Sequence, residues 1–170
     1  CPYPLWLWAR PVKPKMIISV PLILEKIIKT KVFPLLEKPL MKMLMRVPLV
    51  DDHLLGKIKE KLYETFGGNL EQIIIGGAAL NKDVEAFLRR IGFKYTVGYG
   101  MTECAPIITY VPHNKTRLYS CGVAAPRMQI RIDSPDERRI PGEILVKGDN
   151  VFLGYYRNKE ATDAAFTEDG

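Results

Sequence analysis

The sequence predicts an α/β protein in which a doubly wound, mainly parallel sheet is layered with helices and followed by a small β-rich subdomain. The first observation is a pair of continuous apolar runs, residues 16–20 and 72–75, which are typical of strands buried on both faces of a parallel sheet. The second is that amphipathic helical patterns separate these runs. The third is a change to alternating apolar and polar residues after Leu118, which is typical of antiparallel strands.

Two amphipathic helices are predicted in the first part. One follows the candidate caps Asp51 and Asp52 and stops before Gly67-Gly68, and the other follows Asn81 and stops at Gly92. Their apolar stripes are Leu55, Ile58, Leu62 and Phe66 in the first helix, and Val84, Phe87, Leu88 and Ile91 in the second. A third strand at 94–97 completes the unit. Ligands of such sheets bind beyond the carboxyl ends of the strands, so the site is expected there.

We expect two parts, an α/β subdomain over 1–117 and a β-rich subdomain over 118–170. In the second part, Met128, Ile130 and Ile132 alternate with polar residues, and a Pro141-Gly142 turn leads into a further apolar run. A capped helix is predicted to follow Asn158.

The segment 21–49 mixes apolar residues with lysines and is interrupted by Pro34 and Pro39. It predicts short amphipathic helices, because a membrane span needs about 20 apolar residues with few charges. A basic amphipathic helix either packs on the protein body or lies in a membrane interface. Packing is the stronger expectation, and peripheral membrane contact stays open as the alternative. The Trp6-Leu7-Trp8 cluster leaves the same two alternatives.

The charge balance favours anionic partners. The 170 residues are 47% hydrophobic, enough for a packed core, and carry 25 Lys and Arg against 19 Asp and Glu, a net charge of +6. No nucleic-acid-binding motif or basic-aromatic platform accompanies this charge, so solvated helix faces are expected to account for it and no nucleic acid partner is predicted. ATP, CoA and anionic lipid headgroups are the other candidates.

The three cysteines, Cys1, Cys104 and Cys121, are odd in number and lack the paired spacing of a metal site. Because no signal peptide precedes them, a reducing, cytoplasmic environment is expected. Cys104 has no nearby histidine in sequence to act as its base, so packing is expected for it rather than nucleophilic catalysis.

The strongest functional signal is Gly98-Tyr99-Gly100-Met101-Thr102-Glu103, which follows the predicted third strand. Gly76-Gly77-Ala78-Ala79 follows the preceding strand. Glycines let a ligand approach the backbone, an aromatic ring can stack on a base, a hydroxyl can meet a phosphate and a carboxylate can hold a divalent cation. Together the two segments predict a nucleotide site. Outside this pattern, Glu103 would be interpreted as a surface carboxylate and Tyr99 as a core aromatic.

These residues resemble the adenylate-forming superfamily, which includes acyl-CoA synthetases, peptide-synthetase adenylation domains and luciferases, because they reproduce its Tyr-Gly-x-Thr-Glu motif. Further segments match the family pattern in the same order. They are Gly76-Gly77-Ala78, Gly122-Val123-Ala124-Ala125-Pro126, Gly142-Glu143-Ile144 and Gly154-Tyr155-Tyr156. The resemblance extends over about 13–170 and is strongest to the long-chain fatty acyl-CoA ligases.

The resemblance implies a reaction that uses ATP, Mg²⁺ and CoA. The carboxylate of a medium- or long-chain fatty acid attacks the α-phosphorus of ATP to give acyl-adenylate and pyrophosphate, and CoA then takes the acyl group. Thr102 at the α-phosphate and Glu103 on Mg²⁺ are the implied catalytic residues. The implied ATP/AMP-binding residues are Gly76, Gly77, Ala78, Tyr99, Gly100, Met101 and Thr102. Gly77 and Gly98 are the implied lining of the acyl pocket.

The family's phosphate loop, its Thr-Gly-Asp motif and the lysine of its C-terminal domain do not occur in this sequence. The resemblance therefore implies an internal fragment of a larger N-terminal domain, inactive by itself. Two alternatives stay open. One is another adenylating enzyme, such as a peptide-synthetase domain or a short-chain ligase, and the other is a non-catalytic nucleotide-binding or lipid-surface module.

Overall fold

The predicted parallel sheet forms in the computed structural model, which describes residues 5–168, with side chains described from Ala9 onward. Strand β1 (Met16–Ser19) pairs with β2 (Gln72–Ile75), and β2 pairs with β3 (Tyr95–Val97), all in parallel. The two predicted apolar runs and the third predicted strand are thus neighbours in one sheet. The alternatives considered for Trp6 and Trp8 concern side chains outside the described part.

The α-helices of the described part are α1 (Leu5–Val12), α2 (Pro21–Ile27), α3 (Phe33–Leu36), α4 (Pro39–Leu44), α5 (Pro48–Thr65), α6 (Lys82–Arg90) and α7 (Lys159–Ala165). Asn81 caps α6, since its side chain accepts hydrogen bonds from the backbone of Asp83 and Val84. Asn158 likewise caps α7. Both predicted helix starts are confirmed, because an asparagine oxygen at this position satisfies backbone donors of the first turn.

The predicted start of α5 is wrong. The helix begins at Pro48, so that Asp51 and Asp52 lie inside it and do not cap it. Proline suits a first helical turn because its fixed φ is helical and its missing N–H would have had no partner there. Asp51 instead accepts a hydrogen bond from Arg90, with 2.8 Å between Oδ2 and Nη2, and links α5 to the end of α6.

Residues 21–49 form short helices, as predicted. α2 continues into a π-helix over Ile28–Val32, and Pro34 and Pro39 stand in the first turns of α3 and α4. Four apolar residues of this segment belong to the main core, namely Leu24, Ile27, Ile28 and Val32. Within residues 5–168, no helix is both long and apolar enough to cross a membrane.

One face of the parallel sheet carries the main core. Its buried strand residues are Ile17, Ile73, Ile75, Tyr95 and Val97, which pack with apolar residues of α2, α5 and α6. On the opposite face, Thr96 is fully buried and donates to the carbonyl of Val111 at 2.8 Å, so the chain after β5 (Ile107–Tyr110) covers β3. Ile18 on β1 is 76% exposed on this second face.

Antiparallel structure begins at Tyr99. β4 (Tyr99–Gly100) pairs with β5, and β5 pairs with β6 (Val123–Ala124). β7 (Met128–Asp133) and β8 (Glu143–Gly148) form a separate hairpin, and the predicted alternation of more buried and exposed residues is present in β7. The β5–β6 pairing crosses the boundary expected between 117 and 118, and the division into two subdomains stays a prediction.

Candidate functional site

The two glycine segments meet at the carboxyl ends of β2 and β3. The backbone N–H of Gly76 donates to Ser19 at 3.1 Å, and that of Gly98 donates to Ile75 at 2.9 Å, so both continue the ladder of the sheet. A Cβ atom added to Gly76 would lie 3.7 Å from the carbonyl oxygen of Gly98. The juxtaposition expected from the sequence is therefore present in the structure.

The Gly76–Asn81 loop is exposed at its tip and anchored at its end. Gly77 and Ala78 are exposed, and Gly77 has φ +84°, a left-handed conformation that side chains disfavour. At the end of the loop, the N–H of Asn81 donates to Oε1 of Glu25 on α2 at 2.9 Å. Helices α2 and α6 thus hold the loop, while its small residues face solvent.

Gly100 is required by a close backbone approach. A Cβ atom there would overlap the carbonyl oxygen of Pro106 and lie 2.8 Å from its carbonyl carbon. The N–H of Met101 donates to that same oxygen at 2.9 Å. The glycine therefore lets the chain fold back tightly after β4, which leaves Met101 and Thr102 exposed on the resulting turn.

Tyr99 is half-buried and packs against a small cluster formed by Cys104, Ile108 and Met128. Its backbone N–H donates to the Thr109 hydroxyl at 3.2 Å. Cys104 is buried in this cluster, and burial together with the nearby Glu103 carboxylate raises the pKa of its thiol. A buried thiol that resists ionisation is a poor nucleophile, so the expectation that Cys104 serves packing is confirmed.

Thr102 and Glu103 lie on a single 3-10 turn, Thr102–Cys104, which ends at Ala105 with φ +51°. The Glu103 carboxylate accepts a hydrogen bond from the Tyr155 hydroxyl, with 2.7 Å between the oxygens. This hydrogen bond lowers the pKa of Glu103 and raises that of Tyr155. Glu103 is therefore ionised at neutral pH and held by a partner from a distant part of the chain.

Three residues that contact this turn had no predicted role. Tyr155 belongs to a segment that matched the family pattern, but nothing in the sequence paired it with Glu103. Phe152 donates its backbone N–H to the carbonyl oxygen of Glu103 at 2.7 Å. The Asn150 side-chain amide donates to the carbonyl oxygens of Cys104 and, at 2.9 Å, Ile107. The signal that could have indicated Tyr155 was its place in a glycine-flanked motif after a strand.

The donor set at this turn fits magnesium brought in by a nucleotide. Among the described residues, no group of three or more His, Cys, Asp and Glu side chains is arranged to hold a metal ion. Mg²⁺ commonly binds through one or two carboxylates together with substrate phosphates and water, rather than in an all-protein cage. A single ionised carboxylate beside an exposed hydroxyl is compatible with that mode, in which Glu103 would be the protein ligand.

One cavity of the described part lies away from the glycine segments that are expected to line the acyl pocket. A cavity of about 260 Å³ is lined by Arg89, Lys94, His113 and neighbouring residues, at the amino end of β3. The glycine segments lie at the opposite edge, at the carboxyl ends of the strands. The site stays a prediction for that edge, and so does the acyl role of Gly77 and Gly98.

Comparison with known proteins gives a match to the AMP-binding enzyme family over residues 4–156. The motifs predict the resemblance over about 13–170, so the match both begins and ends earlier than the motifs indicate. Long chain acyl-CoA synthetase 3 of Arabidopsis thaliana is 32% identical over 130 residues, which are 71% of this chain and 19% of the relative. Probable 4-coumarate–CoA ligase 2 of Dictyostelium discoideum is 34% identical over 110 residues, 60% of this chain and 20% of that protein.

The fold is also found in solved enzymes. ATP-bound MatB from Rhodopseudomonas palustris superimposes with a TM-score of 0.59 at 26% identity, covering 94% of this chain and 27% of MatB. The chain spans about a fifth of the length of the curated relatives it matches. The mixed α/β fold, the ordered motifs and the match over 4–156 agree, and the chain belongs to the AMP-binding enzyme family of adenylate-forming enzymes.

Proposed function

We propose that this chain is the central part of an ATP-dependent long-chain fatty acid–CoA ligase. The observation that carries the proposal is the close approach of the Gly76 and Gly98 backbones at one sheet edge. The turn with exposed Thr102 and ionised Glu103 follows directly after it. Small residues admit a nucleotide to the backbone, and a hydroxyl and a carboxylate are at hand for its phosphates and cation. Catalysis in such a site is mainly positioning and charge stabilisation.

In the proposed reaction, a carboxylate oxygen of the acid attacks the α-phosphorus of ATP and pyrophosphate leaves. The CoA thiol then attacks the acyl carbonyl and AMP leaves. Gly76, Gly77 and Ala78 would border the adenine, Tyr99 would stack near it, and Gly98 and Gly100 would allow close backbone approach beside Met101. Thr102 would contact the α-phosphate. Glu103 would hold Mg²⁺, which when bound neutralises charge on the transferring phosphoryl group.

The Glu103→Gln variant tests the site in the protein that carries this chain. Pyrophosphate exchange with ATP is the assay, because it reports adenylate formation before CoA is involved. We expect a large loss of exchange with little change in thermal unfolding, since the substitution keeps the Phe152 hydrogen bond to the Glu103 carbonyl. Glu137→Gln, the same change on an exposed loop, is the control and should behave as wild type.

Unchanged exchange and unchanged Mg²⁺ dependence in Glu103→Gln would return Glu103 to the role of a surface carboxylate. A loss of exchange that follows a loss of folded protein would instead assign Glu103 a structural role and contradict its role at the magnesium. An absence of exchange in wild type with every acid tried would refute the proposed function as a whole and would favour a non-catalytic nucleotide-binding module.

The fatty acid substrate is supported by the Arabidopsis long-chain acyl-CoA synthetase among the relatives. The Dictyostelium 4-coumarate–CoA ligase supports a second candidate, a ligase for an aromatic acid. An exchange assay over fatty acids of increasing length and over 4-coumarate distinguishes the two. Preference for long acids supports the first proposal, because each buried methylene contributes about 0.8 kcal/mol. Preference for 4-coumarate would support the second.

The acyl path past Gly77 and Gly98 is best tested at Gly76. Gly77 is unsuitable because its φ of +84° strains any side chain, whatever the acyl group does. At Gly76 an added methyl meets the Gly98 carbonyl at ordinary contact distance. Gly76→Ala should therefore fold and lose activity on long acids first. An equal loss at all lengths would indicate damage to nucleotide binding and would contradict the acyl path.

We further propose that residues 38–49 contact a membrane surface in the manner of a peripheral protein. Leu40, Met43 and Leu49 are 62%, 60% and 84% exposed, beside Lys42 and Arg46. Exposed apolar side chains flanked by basic residues suit an anionic lipid interface. Co-sedimentation should occur with phosphatidylserine vesicles and fall for Leu40→Glu. Equal recovery with and without vesicles would contradict the membrane contact.

The 170-residue chain by itself is expected to form no acyl-CoA. The phosphate loop, the aspartate of the Thr-Gly-Asp motif and the C-terminal lysine of the family supply positioning and charge that Thr102 and Glu103 do not replace. Measurable acyl-CoA formation by the purified chain, free of contaminating ligase, would contradict this expectation.

A further inference from the structure

The chain after β8 contacts the Thr102–Glu103 turn at three separate points. The Phe152 N–H donates to the backbone oxygen of Glu103 at 2.7 Å, and the Asn150 amide donates to the backbone on the far side of the turn. The Tyr155 hydroxyl donates to the Glu103 carboxylate at 2.7 Å. Backbone contacts fix where the turn lies. The carboxylate is oriented mainly by the Tyr155 hydroxyl, with a smaller contribution from the backbone N–H of Glu103 itself.

Tyr155 is itself held in place from two directions. Its backbone N–H donates to the Thr162 hydroxyl of α7 at 2.9 Å, and Thr162 in turn donates to the Asn158 carbonyl. Its ring packs edge-on against Phe152, with 4.8 Å between ring centroids, and Phe152 stacks on Phe166 beyond the end of α7. The position of the hydroxyl is therefore set by α7 and by two aromatic rings.

We infer that Tyr155 is a positioning residue whose hydroxyl holds the Glu103 carboxylate in the orientation that receives the magnesium of MgATP, with Thr162 supporting Tyr155. The inference rests on the proposed function. It assigns a task to the Gly154-Tyr155-Tyr156 segment, which neither the nucleotide nor the acyl group is proposed to touch.

The physical reason is the conformational freedom of an exposed glutamate. A free carboxylate on a surface turn samples several rotamers, and a ligand must order it on binding. A charge-assisted hydrogen bond orders it beforehand, and a carboxylate has about four lone-pair sites, so that acceptor capacity remains for a cation. Groups that orient a metal ligand typically change metal affinity by about 10–100-fold when they are removed.

Tyr155→Phe removes the hydroxyl and keeps the ring that packs on Phe152. We expect the Mg²⁺ concentration for half-maximal pyrophosphate exchange to rise by about tenfold, the lower end of the range because Glu103 is partly exposed. The rate at saturating Mg²⁺ should change little. Tyr156→Phe is the matched control, since Tyr156 is 86% exposed and its ring lies beside Arg157. The Mg²⁺ titration of Tyr156→Phe should match that of wild type.

A binding measurement separates positioning from general damage. Calorimetry should give the same ATP affinity for wild type and Tyr155→Phe without Mg²⁺, and a smaller gain on adding Mg²⁺ for the variant. Thr162→Val keeps the size of the side chain and removes the acceptor for the Tyr155 N–H. It should shift the Mg²⁺ titration in the same direction by a smaller factor, without altering the tyrosine itself.

The outcomes are distinguishable. If the wild-type protein catalyses exchange and Tyr155→Phe shows the same Mg²⁺ titration as wild type, the inference is overturned and the proposed function stands. An equal loss of ATP affinity with and without Mg²⁺ would also overturn it, because that is the signature of a structural role. If wild type shows no exchange and no Mg²⁺-dependent gain in ATP affinity, both proposals are refuted together.

Discussion

Replacing Gly100 by alanine should destabilise the protein, although alanine is usually the better residue for an ordered chain. The added Cβ atom would overlap the Pro106 carbonyl oxygen and lie 2.8 Å and 3.1 Å from the Pro106 carbonyl carbon and the Ile107 Cα. All three are backbone atoms, so no side-chain rotation relieves the overlap. The β4–β5 turn would have to open.

The size of the effect follows from what opening the turn removes. The Met101 N–H loses its acceptor at Pro106, and the pairing of Gly100 with Ile107 is disturbed. A backbone hydrogen bond contributes about 1 kcal/mol net, and a backbone forced into a strained conformation costs about 1–3 kcal/mol more. We therefore expect Gly100→Ala to lower the free energy of unfolding by about 3 kcal/mol, within the range typical of backbone strain.

Gly56 provides the matched control, because the same substitution there should have the opposite sign. It lies inside α5, and an added Cβ would meet nothing within 4 Å. Glycine inside a helix is less favourable than alanine by about 0.5–1 kcal/mol, so Gly56→Ala should stabilise the protein by up to that amount. Urea unfolding of the protein that carries this chain, followed by near-ultraviolet circular dichroism, measures both.

Equal stability of Gly100→Ala and wild type would show that the chain does not approach Gly100 as closely as the structure has it. The position of Thr102 and Glu103 would then be wrong as well, since the same turn carries them. Destabilisation by both substitutions would point instead to a general intolerance of alanine and would remove the steric argument.

Three further predictions concern the support of the site. Asn81→Ala removes the cap of α6 and should cost about 1 kcal/mol in urea unfolding, with Asn81→Asp largely preserving stability. Glu85→Ala should cost about 2–3 kcal/mol, because the buried carboxylate accepts from the Tyr95 hydroxyl and the Tyr119 N–H; Glu85→Gln should cost less. Burial, followed by the neighbouring Glu85, raises the pKa of the Tyr95 hydroxyl. The folded protein therefore keeps the hydroxyl proton at pH values at which the unfolded chain loses it. Stability should thus be constant below about pH 10 and decline above it, and Tyr95→Phe should weaken that decline in unfolding measured against pH.

Much of the fold could be predicted because the deciding interactions are local. The apolar strands β1, β2 and β3 and the caps Asn81 and Asn158 depend on residues a few positions apart, which a periodic pattern or a side-chain type reveals. The start of α5 was missed although Pro48 was visible. Helices can begin either at an acidic cap before an apolar stripe or at a proline in the first turn. The apolar stripe is compatible with both starts, so it could not distinguish Asp51 from Pro48.

The missed part of the site depends on long-range contacts. Tyr155 and Glu103 are 52 positions apart, and Glu85 and Tyr119 are 34 apart. No periodic sequence pattern connects such pairs. Each residue fits its local strand or turn whichever distant residue becomes its hydrogen-bond partner. The motifs did indicate which segments gather at the sheet edge. They did not indicate which side chains would hydrogen-bond there.

The parallel sheet continues directly into the antiparallel one, and this connection fixes the position of the turn that bears Glu103. Gly98 alone separates β3 from β4, and the Thr109 hydroxyl accepts the Tyr99 N–H while donating to the carbonyl of Cys121. The turn bearing Glu103 is therefore tied to the parallel sheet at one end and to the chain after β8 at the other. Because no flexible linker intervenes at Gly98, a shift of either sheet moves the carboxylate relative to Gly76, and the geometry of the site depends on the packing of both sheets.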